Sequence, residues 1–123
     1  MNRHEERIFL MEKVYRHLLL HDDLQTSLNT EENKEGYSDF ISSILVDISN
    51  NEDVYKGKIE QYLNKWSFDR LNLVDQAIML VALSELQLNL NDKAVVINEA
   101  LQLSKKYSDP DNYRYINGVL DRL

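Results

Sequence analysis

The C-terminal stretch DPDNYRYINGVLDRL carries side chains suited to binding a nucleotide base. At about 100° per residue, Asp111, Tyr115, Gly118 and Arg122 share one helical face. A tyrosine ring stacks on a base, an aspartate accepts a hydrogen bond from a base amino group or a 2′-hydroxyl, and an arginine contacts phosphate. The residues alone leave two alternatives open. Tyr115 either meets a base or covers a neighbouring helix, and Gly118 admits either a helix or RNA backbone.

Metal binding and catalysis have weaker support. His17 and His21 lie four residues apart beside Asp22 and Asp23, but zinc requires three or four ligands, and no further His or Cys accompanies this pair. We expect two solvated histidines near a helix C-terminus. The sequence contains no Gly-rich phosphate loop and no strand–turn–helix nucleophile elbow. We therefore predict no catalytic residue, no metal, no cofactor and no enzymatic activity.

Composition predicts the fold class. The chain has 123 residues, 43% apolar content, no Cys, three Gly and one Pro. Strands and hairpins have few turn residues to build on, so we predict an all-α protein of one domain. No segment resembles a membrane span or a signal peptide, and we expect a cytoplasmic protein.

The acidic residues responsible for the net charge of −7 are concentrated in one segment. Residues 22–64 hold ten acids and three bases, whereas the remaining residues hold eleven of each. A charged run is usually a solvated face, so this segment is expected to face away from any phosphate backbone.

Helical periodicity predicts a compact bundle of six to seven helices in two three-helix halves, at about residues 1–65 and 66–123. The apolar run from Ala77 to Leu83 indicates a helix at the centre of the bundle. Asn72 is a candidate N-cap, and Asp109–Pro110 should end one helix and start the last. The polar residues 22–35 are either a mobile connection or a short helix. The predicted helices span 3–21, 36–49, 53–65, 73–88, 93–108 and 110–123.

The order of three motifs, VDQAIMLVALSEL, VVINEALQLSKKY and YRYINGVLDRL, resembles the C-terminal half of the NusB family of transcription antitermination factors. The resemblance is dense from Val74 to Arg122, continues through IEQYL (Ile59 to Leu63) and is loose in the first helix. It implies a helical protein that pairs with NusE, a small-subunit ribosomal protein, and with it binds boxA-type single-stranded RNA in the transcription elongation complex.

Carried over by position, the resemblance assigns RNA contacts to Arg3, Arg7, Tyr62, Asp111 and Tyr115. It assigns contacts with the protein partner to Tyr15 and Asp75, although the helix dipole alone also accounts for Asp75. The residues also leave open a core position for Tyr62, because Ile59 and Leu63 are its neighbours.

The first helix departs from the arginine-rich start of the family. Glu5 and Glu6 separate Arg3 from Arg7, and His4 replaces another base. Each lost phosphate contact reduces RNA affinity, so we expect weak RNA binding without NusE. An alternative is a helical interaction module that has lost RNA binding or serves an RNA methyltransferase in trans. The sequence also leaves open a homodimer of the free chain.

Overall fold

The computed structural model describes residues 1–24 and 36–123, and α-helices dominate these two ranges. No strand occurs in them, which confirms the all-α prediction. Most of the polar connection predicted at 22–35 lies outside the described residues. The helices are α1 (Arg3–Leu20), α2 (Asp39–Glu60), α3 (Leu73–Gln87), α4 (Lys93–Tyr107) and α5 (Tyr113–Arg122), with a 3-10 turn at Phe68–Arg70 between α2 and α3.

Helix α3 lies at the centre of the bundle. Every residue from Ala77 to Leu83 is buried, and α3 contacts α1, α2, α4 and α5. The all-round apolar pattern therefore predicted its position correctly. Asn72 caps this helix as predicted, because its side chain accepts a hydrogen bond from the Asp75 backbone N–H at 2.8 Å.

The count of six to seven helices is wrong for the described residues, because the segments predicted at 36–49 and 53–65 form one helix, α2. Residues 47–53 contain neither Gly nor Pro. The Asn51 amide donates to the Asp47 backbone oxygen at 2.8 Å, and the Tyr55 hydroxyl donates to the Asp47 carboxylate at 2.5 Å. These bonds satisfy side chains that otherwise compete with helical backbone.

The last helix begins later than predicted. Pro110 to Asn112 form a turn, and α5 starts at Tyr113. Asp111 therefore precedes the helix and does not lie within it. The apolar residues Ile116, Val119 and Leu120 of α5 are buried, and Leu123 is partly buried against the same core.

Within the described ranges, no helix combines the length and the apolar content needed to cross a membrane.

An ion pair joins α1 to α2. His17 Nε2 lies 2.6 Å from Glu52 Oε1, and Lys56 Nζ lies 2.9 Å from Glu52 Oε2. The hydrogen bond with Glu52 raises the pKa of His17 above 6.5. The same bond lowers the pKa of Glu52 from 4.5 to about 2. The prediction that His17 is merely a solvated side chain is wrong, because it is partly buried and bridges two helices.

Stability should depend on pH through this pair. A lowered carboxyl pKa stabilises the fold above about pH 4.5, and this contribution disappears as the pH falls towards 2. A raised imidazole pKa stabilises the fold below about pH 6.5, and this contribution disappears as the pH rises through the folded-state pKa. The pair therefore contributes most between these two limits.

We expect Glu52→Gln to cost about 1 kcal/mol in that window and less on either side. Urea unfolding of both proteins over a pH series measures the difference. Glu12→Gln, an exposed glutamate of α1, serves as the control. If the difference in unfolding free energy between the Glu52→Gln variant and the parent does not change with pH, the stabilising role of the His17–Glu52 pair is contradicted.

Candidate nucleic-acid interface

A groove of about 560 Å³ lies between one side of α5 and the turn that follows α2. Two tyrosines predicted from the sequence, Tyr62 and Tyr115, both line it. The structure also brings Trp66, Arg70 and Arg122 to the same groove. Three aromatic rings and two guanidinium groups thus border one open surface, which is the set of groups that binds single-stranded nucleic acid.

Tyr115 is anchored by its hydroxyl group. The hydroxyl donates a hydrogen bond to Asp75 Oδ2, and the Asn112 amide donates to the same oxygen at 2.8 Å. Both tyrosines of the groove are partly buried and pack against the core. The ring of Tyr115 therefore packs against neighbouring residues, as one alternative required. It also lines the groove, where a ligand can reach it.

Burial and the hydrogen bond to Asp75 raise the pKa of the Tyr115 hydroxyl above its ordinary value of 10.0. Desolvation is the larger cause, because it disfavours the phenolate. The ring of Tyr115 therefore stays neutral at neutral pH and remains a hydrogen-bond donor to Asp75.

Asp75 is fully buried. The family resemblance assigns this carboxylate to a protein partner, but α5 and Asn112 cover it and leave none of its surface exposed. Its Oδ1 atom has no hydrogen-bond partner among the described residues. Asp75 lines the floor of the groove and connects α3 to α5 through Tyr115.

The cations of the groove are available to a ligand. Arg70 and Arg122 are exposed, and within residues 1–24 and 36–123 neither forms an ion pair. Gly118 is also exposed, and a Cβ atom built on it would meet nothing within 4 Å. No described helix requires this glycine, so close approach of a neighbouring helix does not explain it, and the approach of RNA backbone stays a prediction.

Arg7 does not belong to this surface. Its guanidinium donates two hydrogen bonds of 2.9 Å to the Glu85 carboxylate, and the residue is only 5% exposed. The carboxylate of Glu99, which is partly buried, lies 3.8 Å from the Arg7 guanidinium. The structure therefore presents no accessible Arg7 guanidinium for the predicted phosphate contact, because the side chain is buried and Glu85 accepts hydrogen bonds from two of its nitrogen atoms.

Arg3 remains accessible. Its side chain is 50% exposed, lies 3.2 Å from Glu6 and stacks over the Phe40 ring at 4.0 Å. The two arginines share one helical face as predicted, but the bundle covers that face from Arg7 onward. Glu99 of the INEA motif accepts a hydrogen bond from His4 at 3.2 Å, so this glutamate has a role in packing.

The remaining predicted residues lie in different places. Asp111 is exposed in the turn before α5 and does not line the groove. Tyr15 is partly buried on α1 and packs against the core.

Trp66 and Arg70 belong to the segment WSFDRLN, which separates the helices predicted at 53–65 and 73–88, and the helical patterns assign neither residue a function. One signal was available. A single tryptophan between polar and basic residues, outside any apolar stripe, favours a surface function over a core position.

Comparisons with known proteins agree on one family. The sequence profile of the NusB family matches residues 4–123. The transcription antitermination protein NusB of Staphylococcus carnosus is 34% identical over 127 residues, which cover 100% of this chain and 99% of the relative. That of Bacillus cereus is 34% identical over 96 residues, covering 77% of this chain and 74% of the relative.

Solved structures share the fold. NusB of T. maritima superimposes with a TM-score of 0.83 at 25% identity, covering 99% of this chain and 89% of that one. A chain from the crystal structure of a plectonemic RNA supercoil gives a TM-score of 0.76 at 20% identity, covering 98% of this chain and 94% of its own length. The second comparison supports the fold alone. Together, the profile match, the full-length relatives and the shared bundle place this chain in the NusB family.

Proposed function

We propose that this chain is a non-enzymatic transcription antitermination factor that pairs with NusE and binds boxA-type RNA in the elongation complex. The observation that carries the proposal is the groove, in which the rings of Tyr62 and Tyr115 lie beside Arg70 and Arg122, two arginines without an ion pair to any described residue. Rings bind unstacked bases and cations bind phosphates, so this set suits single-stranded RNA. The relatives named above are antitermination proteins, and nascent RNA places such a factor in the cytoplasm.

The N-terminal end of α1 contributes less to RNA binding than the family resemblance implies. Arg7 is occupied by Glu85, and Arg3 is partly engaged by Glu6. We therefore propose that Arg3 is the phosphate contact of α1 and that NusE supplies further RNA-binding surface. Tyr15 is the candidate contact with NusE on α1, whereas Asp75 acts on the partner only indirectly.

A pull-down with immobilised NusE tests this function. We expect boxA-type RNA to be retained more strongly when both proteins are present than with either one alone. A scrambled RNA of equal length is the control. Tight RNA binding by the chain alone would contradict the proposed dependence on NusE.

The pairing of Arg7 with Glu85 also favours a second candidate function. A chain without a free Arg7 fits a helical interaction module that keeps a protein partner, or serves an RNA methyltransferase in trans, without binding RNA. NusE retention with no gain in RNA retention would favour this module and contradict antitermination through boxA.

Two substitutions of Tyr115 should distinguish the effect of ring stacking from that of the hydrogen bond to Asp75. Tyr115→Ala removes the ring and should weaken RNA binding in the ternary complex by about 1–3 kcal/mol. Tyr115→Phe keeps the ring and should bind RNA within about 0.5 kcal/mol of the parent, with about 1 kcal/mol of stability lost because the hydrogen bond to Asp75 is absent. Filter binding and thermal melting measure the two effects. Equal RNA loss in both variants would exclude stacking as the cause.

A further inference from the structure

Trp66 is the large hydrophobic side chain of the groove that is most open to solvent, with 61% of its surface exposed. The turn that carries it is held at both ends. Leu63 and Phe68 are buried, and the Phe68 backbone N–H donates to Glu60 Oε1 at 3.1 Å. The backbone N–H of Trp66 donates a hydrogen bond to the Leu63 carbonyl oxygen at 3.1 Å. A large ring is therefore presented to solvent from an anchored turn, which limits the entropy lost when a ligand binds.

Cationic side chains continue past Trp66. A second hollow of about 480 Å³ is lined by Lys65, Trp66, Ser67 and Arg70, and it shares Trp66 and Arg70 with the groove. Lys65 is exposed and, like Arg70, takes part in no ion pair with a described residue. The two hollows thus form one surface that runs from Tyr115 over Trp66 to Lys65.

We propose that Trp66 is a second base-stacking site, which binds a nucleotide adjacent to those in the Tyr115 groove while Arg70 and Lys65 contact its phosphates. The inference rests on the proposed function, because it requires single-stranded RNA in the groove. Unpaired cations on either side of an exposed ring favour a polyanion over an apolar protein segment. The bound RNA segment is then longer than the groove alone accommodates.

Trp66 is the only tryptophan of the chain, so its fluorescence reports on this site directly. The complex of the chain with NusE is titrated with a boxA-type RNA that is extended at both ends, while the anisotropy of a label on the RNA measures binding. We expect tryptophan emission to be quenched in parallel with RNA binding. The same titration of Trp66→Phe supplies the background from any tryptophan in NusE.

Scanning the RNA with single abasic nucleotides locates the stacked base. One position should abolish quenching while RNA binding is retained at higher RNA concentration. Trp66→Ala should weaken RNA binding about tenfold, and Trp66→Phe by no more than about threefold. Arg70→Ala should reduce the slope of log K against log salt by about 0.7. Tyr107→Ala, which removes an exposed ring outside the groove, is the matched control and should leave RNA affinity unchanged.

The outcomes separate this inference from the proposed function. RNA binding without quenching, or quenching that no abasic position removes, overturns the Trp66 site and leaves the function intact. Quenching by NusE before RNA is added identifies a protein contact and overturns the site as well. Failure of the RNA to bind at all overturns the proposed function and the Trp66 site together.

Discussion

Replacing Arg7 with methionine is expected to lower the free energy of unfolding by about 3–5 kcal/mol. The guanidinium and the Glu85 carboxylate are both buried and share two hydrogen bonds of 2.9 Å. Without Arg7, a buried carboxylate loses its counter-charge and keeps only the Asn91 amide, which donates to it at 3.0 Å. Urea unfolding measures the loss, which is large compared with the stability of a small domain.

Two further variants test the cause. The double variant Arg7→Met, Glu85→Met removes both charges and should recover most of the lost stability, because no uncompensated carboxylate remains. Arg16→Met changes an exposed arginine of the same helix and should stay within about 0.5 kcal/mol of the parent. If the single and double Arg7 variants are equally destabilised, the buried charge is not the reason.

This prediction affects how RNA binding is measured. If the chain binds RNA as proposed, an Arg7 variant that is partly unfolded will bind less RNA for that reason alone. The comparison should therefore be made where both proteins are fully folded. There, we expect Arg7→Met to bind RNA with the affinity and the salt dependence of the parent, whereas Arg3→Met should reduce the salt dependence.

The second large effect is expected at Asp75. Asp75→Ala should cost about 2–3 kcal/mol of stability, because the Tyr115 hydroxyl and the Asn112 amide lose a shared charged acceptor. RNA affinity should also decrease, because Asp75→Ala releases the Asn112 amide as well as the Tyr115 hydroxyl, whereas Tyr115→Phe loses only the second of these hydrogen bonds. Chemical unfolding and RNA binding in the presence of NusE measure the two consequences.

A double-mutant cycle isolates the contact between Asp75 and Tyr115. If the hydrogen bond carries the effect, Asp75→Ala and Tyr115→Phe together should cost less than the sum of the single changes. Asp39→Ala is the matched control, because it removes an exposed acid from the first turn of another helix. Strict additivity would contradict a direct coupling of the two residues.

Asp75 also connects the two surfaces that the family resemblance separates. The resemblance assigns Asp75 to the protein partner and Tyr115 to RNA, but the two side chains are hydrogen-bonded to each other. A change at Asp75 should therefore alter the groove directly, and under the proposed function its effect on the protein partner would be transmitted through the packing of α3 and α5.

Local sequence patterns determined the helical class, the central position of α3, the Asn72 cap and the buried stripe of α5. These features depend on residue spacing and on contacts within a few residues, which the sequence contains directly. The prediction that a helix ends near residue 50 is wrong, because α2 continues through this region. There, the side chains of Asn51 and Tyr55 both donate hydrogen bonds to Asp47. Their side-chain bonding could not be predicted from composition.

Only the tertiary structure decided which side of each helix is covered. Arg3 and Arg7 occupy one helical face, yet Arg7 is buried against Glu85, which lies 78 residues further along the chain. Asp75 lies in the first turn of its helix but is buried because α5 covers it. Trp66 lines a groove because the turn after α2 lies beside α5. Helical period fixes how residues are arranged around one axis, whereas burial and shared surfaces depend on contacts between distant segments. For that reason the sequence determined the elements of this protein, and their packing determined which side chains are available to a ligand.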